Sequence, residues 1–183
     1  MKLIETKIKG AWIVENTTFE DYRGIFSRVF CNEMMSAALR GKVVAQSNIS
    51  ITHSIGAIRG MHFQYPPHAE IKIVRCLKGK VFDVVVDLRK HSPTFLSWQA
   101  VELSGYNKLS FVIPEGCAHG FQVLEESSEL LYFHTHPYTP EAEGTVRYDD
   151  PRVNIRWPLK PTDISDKDAS HLNLNYDFKG VEI

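Results

Sequence analysis

Lys80-Val81-Phe82-Asp83-Val84-Val85-Val86-Asp87-Leu88 is the stretch whose reading decides the fold of this 183-residue chain. β-Branched and aromatic residues fill it, and Lys78-Gly79 before it and Ser92-Pro93 after it break the chain, so it reads as a strand over 80–88. On a pleated strand alternate residues share a face. Phe82, Val84, Val86 and Leu88 therefore lie on one side, and Val81, Asp83, Val85 and Asp87 on the other. The first face is expected to be dry, and the second to carry its carboxylates into something polar.

Strand-like runs of the same kind lie on both sides of it. They fall at 43–51, 57–64 and 71–78 upstream and at 96–103, 109–113, 119–125 and 129–136 downstream, with Pro66-Pro67 and Pro114-Glu115-Gly116 among the breakers. Many short strands with few helices predict an all-β jelly roll. Residues 1–14 read as edge strands, around Leu3-Ile4 and Ala11-Trp12-Ile13-Val14. Asp21-Tyr22-Arg23-Gly24 reads as a turn into a strand from Ile25 to Phe30. One early helix is expected, capped by Asn32, running to Leu39 and ended by Gly41. After Pro137 the chain becomes charged and proline-bearing. This tail, from about residue 140, is expected to pack on the barrel of one domain spanning 1–183 rather than to form a second.

Twenty-one basic residues against 22 acidic ones leave a net charge of −1, too little field to attract nucleic acid or an anionic membrane. An anionic partner must be met by a local cluster. Lys2, Glu5 and Lys7 interrupt the apolar core that a signal peptide needs, and no later run reaches membrane-spanning length, so a cytoplasmic location is expected. Cys31, Cys76 and Cys117 are odd in number and lack CxxC spacing, which suggests reduced and mostly buried thiols.

The chemistry-bearing residues centre on Arg59-Gly60-Met61-His62-Phe63-Gln64 and Lys72. Regular pleating puts His62 with Gly60 and Gln64, and Lys72 with Val74 and Cys76, so both can face a barrel mouth. Histidine takes a proton near neutral pH, and a lysine in a partly dry pocket stabilises a developing oxyanion. The plainer reading is a satisfied core histidine and a solvated lysine. Arg59 has the wrong parity to join His62 unless Gly60 permits a bulge; a surface salt bridge is its plainer role. Leu130, Tyr132, His134 and His136 share a face, so the Tyr132 hydroxyl is either a proton donor or a packed ring with a bonded tip. Asp168 ends a Ser165-x-x-Asp168 pattern that suits a helix cap, or it orients His62.

Pro114-Glu115-Gly116-Cys117-Ala118-His119-Gly120-Phe121 looks like the second motif of the cupin superfamily. The first motif's His-x-His is here His62-Phe63-Gln64, with Glu70 further on. A metal held by His62, Gln64, Glu70 and His119 is the alternative enzyme reading, weakened by the lost histidine. A silent sugar-binding module is a further alternative, to which a positioned base and acid would be of no use.

In order along the chain stand Asp21-x-Arg23-Gly24-x-Phe26, Gln46-x-Asn48, Arg59-Gly60-Met61-His62-x-Gln64, Lys72-x-Val74-Arg75-Cys76, Asp83-Val84-x-Val86-Asp87-Leu88-Arg89, the Pro114 to Phe121 segment, Trp157-Pro158 and Ser165-x-Lys167-Asp168. Together these resemble the dTDP-4-dehydrorhamnose 3,5-epimerase family over about residues 3 to 170. The resemblance implies a jelly-roll homodimer that epimerises a nucleoside-diphosphate 4-keto-6-deoxy sugar without a cofactor or metal. It implies His62 as base, oriented by Asp168, Lys72 as enolate stabiliser and Tyr132 as the opposed proton donor. Arg59, His119 and Arg23 would hold the diphosphate, with Gln46, Asn48 and Tyr138 lining the sugar and phosphate pocket. Phe26 would stack on the base, with Arg23 and Phe26 reaching across from the partner subunit. Three residues depart from the family pattern: Arg28 where thymidine-using members commonly carry glutamate, Glu70 for glutamine and Cys117 for phenylalanine. An arginine only donates, so Arg28 suits the N3 acceptor of cytosine, and CDP, or a contact to phosphate or ribose, is the alternative to dTDP. Epimerisation at one carbon only remains open beside epimerisation at both.

Overall fold

In the computed structural model, which describes all residues 1–183, the expected strand over 80–88 runs from Lys80 to Asp87 inside a five-stranded sheet. The strands are β1 (Lys2–Glu5), β2 (Trp12–Glu15), β3 (Thr18–Asp21), β4 (Gly24–Ser27), β5 (Gln46–Thr52), β6 (Ile58–Gln64), β7 (Lys72–Lys78), β8 (Lys80–Asp87), β9 (Trp98–Ser104), β10 (Leu109–Ile113), β11 (Cys117–Val123), β12 (Ser128–His134) and β13 (Glu143–Thr145). Two short helices, α1 (Ser36–Leu39) and α2 (Asp166–Ser170), complete the elements, with a 3₁₀ turn at Pro140–Ala142. A six-stranded antiparallel sheet, ordered β1-β2-β10-β7-β12-β5, faces a five-stranded one, ordered β13-β6-β11-β8-β9. β3 and β4 form a separate hairpin. The expected jelly roll and its eight main strands are present, within a few residues at each end.

Three apolar layers explain why these runs are strands. Val74, Cys76, Val81, Val85, Phe111, Phe121 and Leu130 lie in the layer between the two sheets. On the outer face of the five-stranded sheet Met61, Val84, Val86 and Leu88 are covered by Val146, Val153, Ile155 and Val181 of the tail. On the outer face of the six-stranded sheet Val14, Ile73 and Val112 are covered by Met35, Ala38 and Leu39. The two faces of β8 thus enter two different layers. The expectation of one dry and one polar face is corrected: both are buried, and the carboxylates are met by internal donors. Asp83 contacts His119, and Asp87 accepts from Arg89, Ser92 and Thr94.

Three local expectations also change. The early helix is only Ser36–Leu39, and Met35, not Asn32, precedes it without a side-chain cap. Burial of Met35, Ala38 and Leu39 substitutes for capping, as tertiary packing does for most short helices. The strand expected over 25–30 ends at Ser27, and its partner β3 carries no strong strand pattern. β13 was not expected; it adds the tail to the sheet edge beside β6. The tail is held further by Asp150, which accepts from the backbone N–H groups of Arg152 and Leu174 at 2.8 and 2.5 Å. Cys76 and Cys117 are buried, Cys31 half-buried, and all three are free. No helix is long and apolar enough to cross a membrane.

Candidate active site

The site begins with an irregularity in β6. Against β11, His62 pairs with His119 and Gly60 with Gly120, so β6 carries one residue more than its partner between these pairs. Met61 is that residue, and its backbone N–H and C=O are taken up by Val146 at 3.2 and 2.9 Å. Below the bulge Arg59 pairs with Phe121, which faces the inner layer, so Arg59 and His62 line the same cavity despite their opposite parity. Only glycine fits at position 60. Its φ is +120°, and a Cβ there would lie 2.6 Å from Gly120 Cα and 2.7 Å from the His119 carbonyl.

The cavity, of about 810 Å³, opens between β5 and β12 of one sheet and β6 and β11 of the other, with α2 and the segment before it as a wall. It brings together His62, Lys72, Tyr132, Asp168, Arg59, His119 and Asn48. Asp168 Oδ1 lies 2.7 Å from His62 Nε2, and Oδ2 accepts from the Gly60 N–H at 3.2 Å. Ser165 Oγ caps α2 by accepting the Asp168 N–H, which leaves the Asp168 carboxylate for His62. Burial raises the Asp168 carboxyl, but the His62 hydrogen bond and charge, the Gly60 N–H and Ser165 together hold it below its ordinary value. An ionised carboxylate only accepts. His62 Nε2 therefore carries hydrogen, and Nδ1 is left as a base.

Lys72 Nζ is tied to the His62 carbonyl at 3.3 Å and to Glu70 at 3.2 Å, with 12% of its side chain exposed. The Tyr132 ring packs on the inner layer and its hydroxyl lies 3.3 Å from Ser50 Oγ. Burial pushes that hydroxyl well above its ordinary value, so it keeps its proton and is able to donate. His119 Nε2 is 2.9 Å from both oxygens of Asp83, a carboxyl that burial pushes up, with the facing His119 opposing. A base, a cation and a proton donor around one cavity suit abstraction of a C–H proton beside a carbonyl.

Other expected residues lie elsewhere in the chain. Gln46 and Tyr138 do not line the cavity; Gln46 Oε1 accepts the Tyr138 N–H at 2.9 Å, and the Tyr138 hydroxyl donates to Glu143 at 3.3 Å. Arg23, Phe26 and Arg28 are on or beside the exposed β3–β4 hairpin, away from the cavity. Arg23 pairs with Asp21, Phe26 is 71% exposed, and Arg28 reaches Met34 Sδ at 3.6 Å. The alternative metal set does not converge, since His62 meets Asp168, His119 meets Asp83, Glu70 meets His134 and Lys72, and Gln64 bonds the backbone around Thr139. Among the residues that escaped the sequence reading are Ser50, which lines the cavity at Tyr132, and two that bond to lining residues from behind, Asp83 under His119 and Glu143, which joins Tyr138 and Lys167. A carboxylate inside the apolar run of β8 was the signal for Asp83. Ser50 and Glu143 have none.

Comparison with known proteins gives one consistent answer. The family model described as dTDP-4-dehydrorhamnose 3,5-epimerase matches residues 5–176. The dTDP-4-dehydrorhamnose 3,5-epimerase of Shigella flexneri is 40% identical over 170 residues, covering 93% of this chain and 94% of the relative. Among solved structures, the dTDP-6-deoxy-D-glucose-3,5-epimerase of Legionella pneumophila, in complex with dTDP-4-keto-L-rhamnose, is 39% identical with a TM-score of 0.90, over 96% of this chain and 94% of that one. A 3'-monoepimerase of Streptomyces bikiniensis, in complex with dTDP-quinovose, is 32% identical with a TM-score of 0.85, over 92% and 85%. With the fold, the cavity and these likenesses in agreement, this chain belongs to the dTDP-4-dehydrorhamnose 3,5-epimerase family.

Proposed function

We propose that this protein epimerises C3 and C5 of a dTDP-linked 4-keto-6-deoxyhexose through an enolate. The observation that carries the reading is the His62–Asp168 pair beside Lys72 and Tyr132 in one cavity. The C4 carbonyl acidifies the hydrogens on both neighbouring carbons. His62 Nδ1 removes one of them, and the electron pair moves onto the carbonyl oxygen. Lys72 stabilises that oxygen, and Tyr132 returns a proton to the opposite face, inverting the centre. Carbon is neither oxidised nor reduced overall, so the scheme calls on no cofactor. Asp168 fixes the tautomer, and Arg59 and His119 supply donors for the diphosphate.

The hairpin supports a homodimer in which Arg23 and Phe26 serve the partner's cavity. β3 and β4 pair only with each other, and they expose Phe19, Tyr22, Ile25 and Phe26. A bare two-stranded hairpin is marginal in water, and an apolar one calls for a surface to cover it. Asn48, which lines the cavity, is assigned to the sugar and phosphate side, and the cytoplasm is the proposed location.

Incubation with dTDP-4-keto-6-deoxyglucose in deuterated water tests the reaction. Label is expected at C3 and C5; label at one carbon only would make it a monoepimerase, and folded protein giving no label at either would overturn the reading. Arg28 favours a second reading of the nucleotide, CDP. Titrating matched dTDP and CDP ligands against wild type and Arg28→Glu separates them, since only a base-reading Arg28 changes the preference.

A further inference from the structure

We propose that Glu70 is a positioning residue of this site, anchoring the Lys72 ammonium and the His134 imidazole with its two carboxylate oxygens. The inference rests on the epimerase reading for its effect on turnover, though its geometry stands apart from that reading. Glu70 Oε1 lies 3.2 Å from Lys72 Nζ, and Oε2 lies 2.8 Å from His134 Nδ1. All three side chains are largely enclosed, with 7%, 12% and 13% of their surface exposed for Glu70, Lys72 and His134. Burial raises the Glu70 carboxyl, but the His134 hydrogen bond and the Lys72 charge hold it below its ordinary value, so it acts as an acceptor only.

Two consequences follow for the cavity. His134 Nδ1 must carry hydrogen, which turns Nε2 toward Asn48 Nδ2 at 3.5 Å, and the same imidazole stacks on the Tyr132 ring at 5.9 Å and 21°. Lys72, with four flexible carbons, gains a second fixed partner besides the His62 carbonyl. One carboxylate thus connects the Lys72 ammonium to the ring packed on the proton donor. Glu70 touches neither reacting carbon in this scheme and acts through its neighbours.

The test uses the full chain with three substitutions. Glu70→Ala and the length-matched Glu70→Met are expected to lower kcat at least about tenfold with KM changed less than about threefold, since a small misplacement of a catalytic group is costly. Glu70→Gln keeps one acceptor, for Lys72, and turns a donor toward His134, so its kcat is expected to lie between those of wild type and Glu70→Met. If Glu70→Ala does not fold, Glu70→Met decides. A folded Glu70→Met with wild-type kcat, or a loss confined to KM, would overturn the proposal. Nitrogen-15 NMR of the unliganded protein reads the geometry without turnover. Wild type should show His134 as the Nδ1–H tautomer and a slowly exchanging Lys72 ammonium, and Glu70→Met should lose both. Persistence of both in Glu70→Met would overturn the proposal even if wild type proved to have no epimerase activity, while wild type with these signals and no C–H exchange would defeat only the epimerase reading.

Discussion

The cavity and the β3–β4 hairpin are opposite kinds of functional region. In the cavity, residues from β6, β7, β11, β12 and α2 meet because strand register and buried packing fix them, and His62, Lys72, Tyr132 and His119 each already have an internal partner. In the hairpin, Arg23 pairs locally with Asp21, and Phe26 and Tyr22 face solvent, Tyr22 at 97% exposure. The difference teaches that chemistry is prebuilt within one protomer, while nucleotide recognition, on the proposed reading, is completed between two.

That division can be broken or sharpened by substitution. His62→Ala is expected to lower kcat about 10³-fold while nucleotide affinity changes little, the loss typical of removing a general base; parallel steady-state kinetics and calorimetry check this, and loss of affinity with kcat intact would defeat the division. Tyr132→Phe should lower net epimerisation about 10²-fold. Deuterium exchange at the abstracted carbon should survive better, because His62 can return the proton it took; equal losses would argue that Tyr132 serves both steps. Phe26→Ala, in the hairpin, should weaken dTDP binding roughly tenfold, as expected for loss of one base-stacking contact, with kcat at saturation nearly unchanged.

The smallest effect concerns pH. Asp168 and Glu70 have folded values below their free values, so their contribution to stability is complete above about pH 4–5 and is lost as pH falls through the lowered folded values. Urea midpoints should fall from pH 5 toward pH 3, with a shallower fall in Asp168→Asn. Asp21→Asn should leave the midpoint unchanged, because its pairing with Arg23 is solvent-exposed.

Alternation made the eight main strands legible, since Val, Ile and Phe at period two identify a half- or fully buried pleat. It also put His62 and Lys72 where both can face a barrel mouth, and Tyr132 on a face with His134 and His136. It failed where a residue's position depends on something other than period. Asn32 had the right chemistry for a cap, but the helix lies where Ala38 and Leu39 find a surface. Strand parity left Arg59 either outside or beside His62 through a bulge at Gly60, and only pairing with β11 shows the bulge, with Met61 as its extra residue. Ser50 and Glu143 carry no local mark, because what gives them a partner lies 82 residues away in Tyr132 and 24 away in Lys167. Resemblance to the family supplied residue roles that no pattern contains, and for Arg23 and Phe26 one protomer provides no cavity contact to set beside them.

The bulge at Met61 makes β6 a sentence in two reading frames joined at a seam. Arg59 is read in one frame and His62 in the other, and the seam is sealed on one side by the bare faces of Gly60 and Gly120 and on the other by Val146. Deleting a single residue there would merge the frames. Arg59 and His62 would then stand two apart on a regular pleat and still share the cavity face, but the backbone groups that hold Val146 of the tail would be gone. The extra residue thus ties the tail to the strand that carries the site, so a one-codon deletion should loosen the tail while charge and base stay on one face.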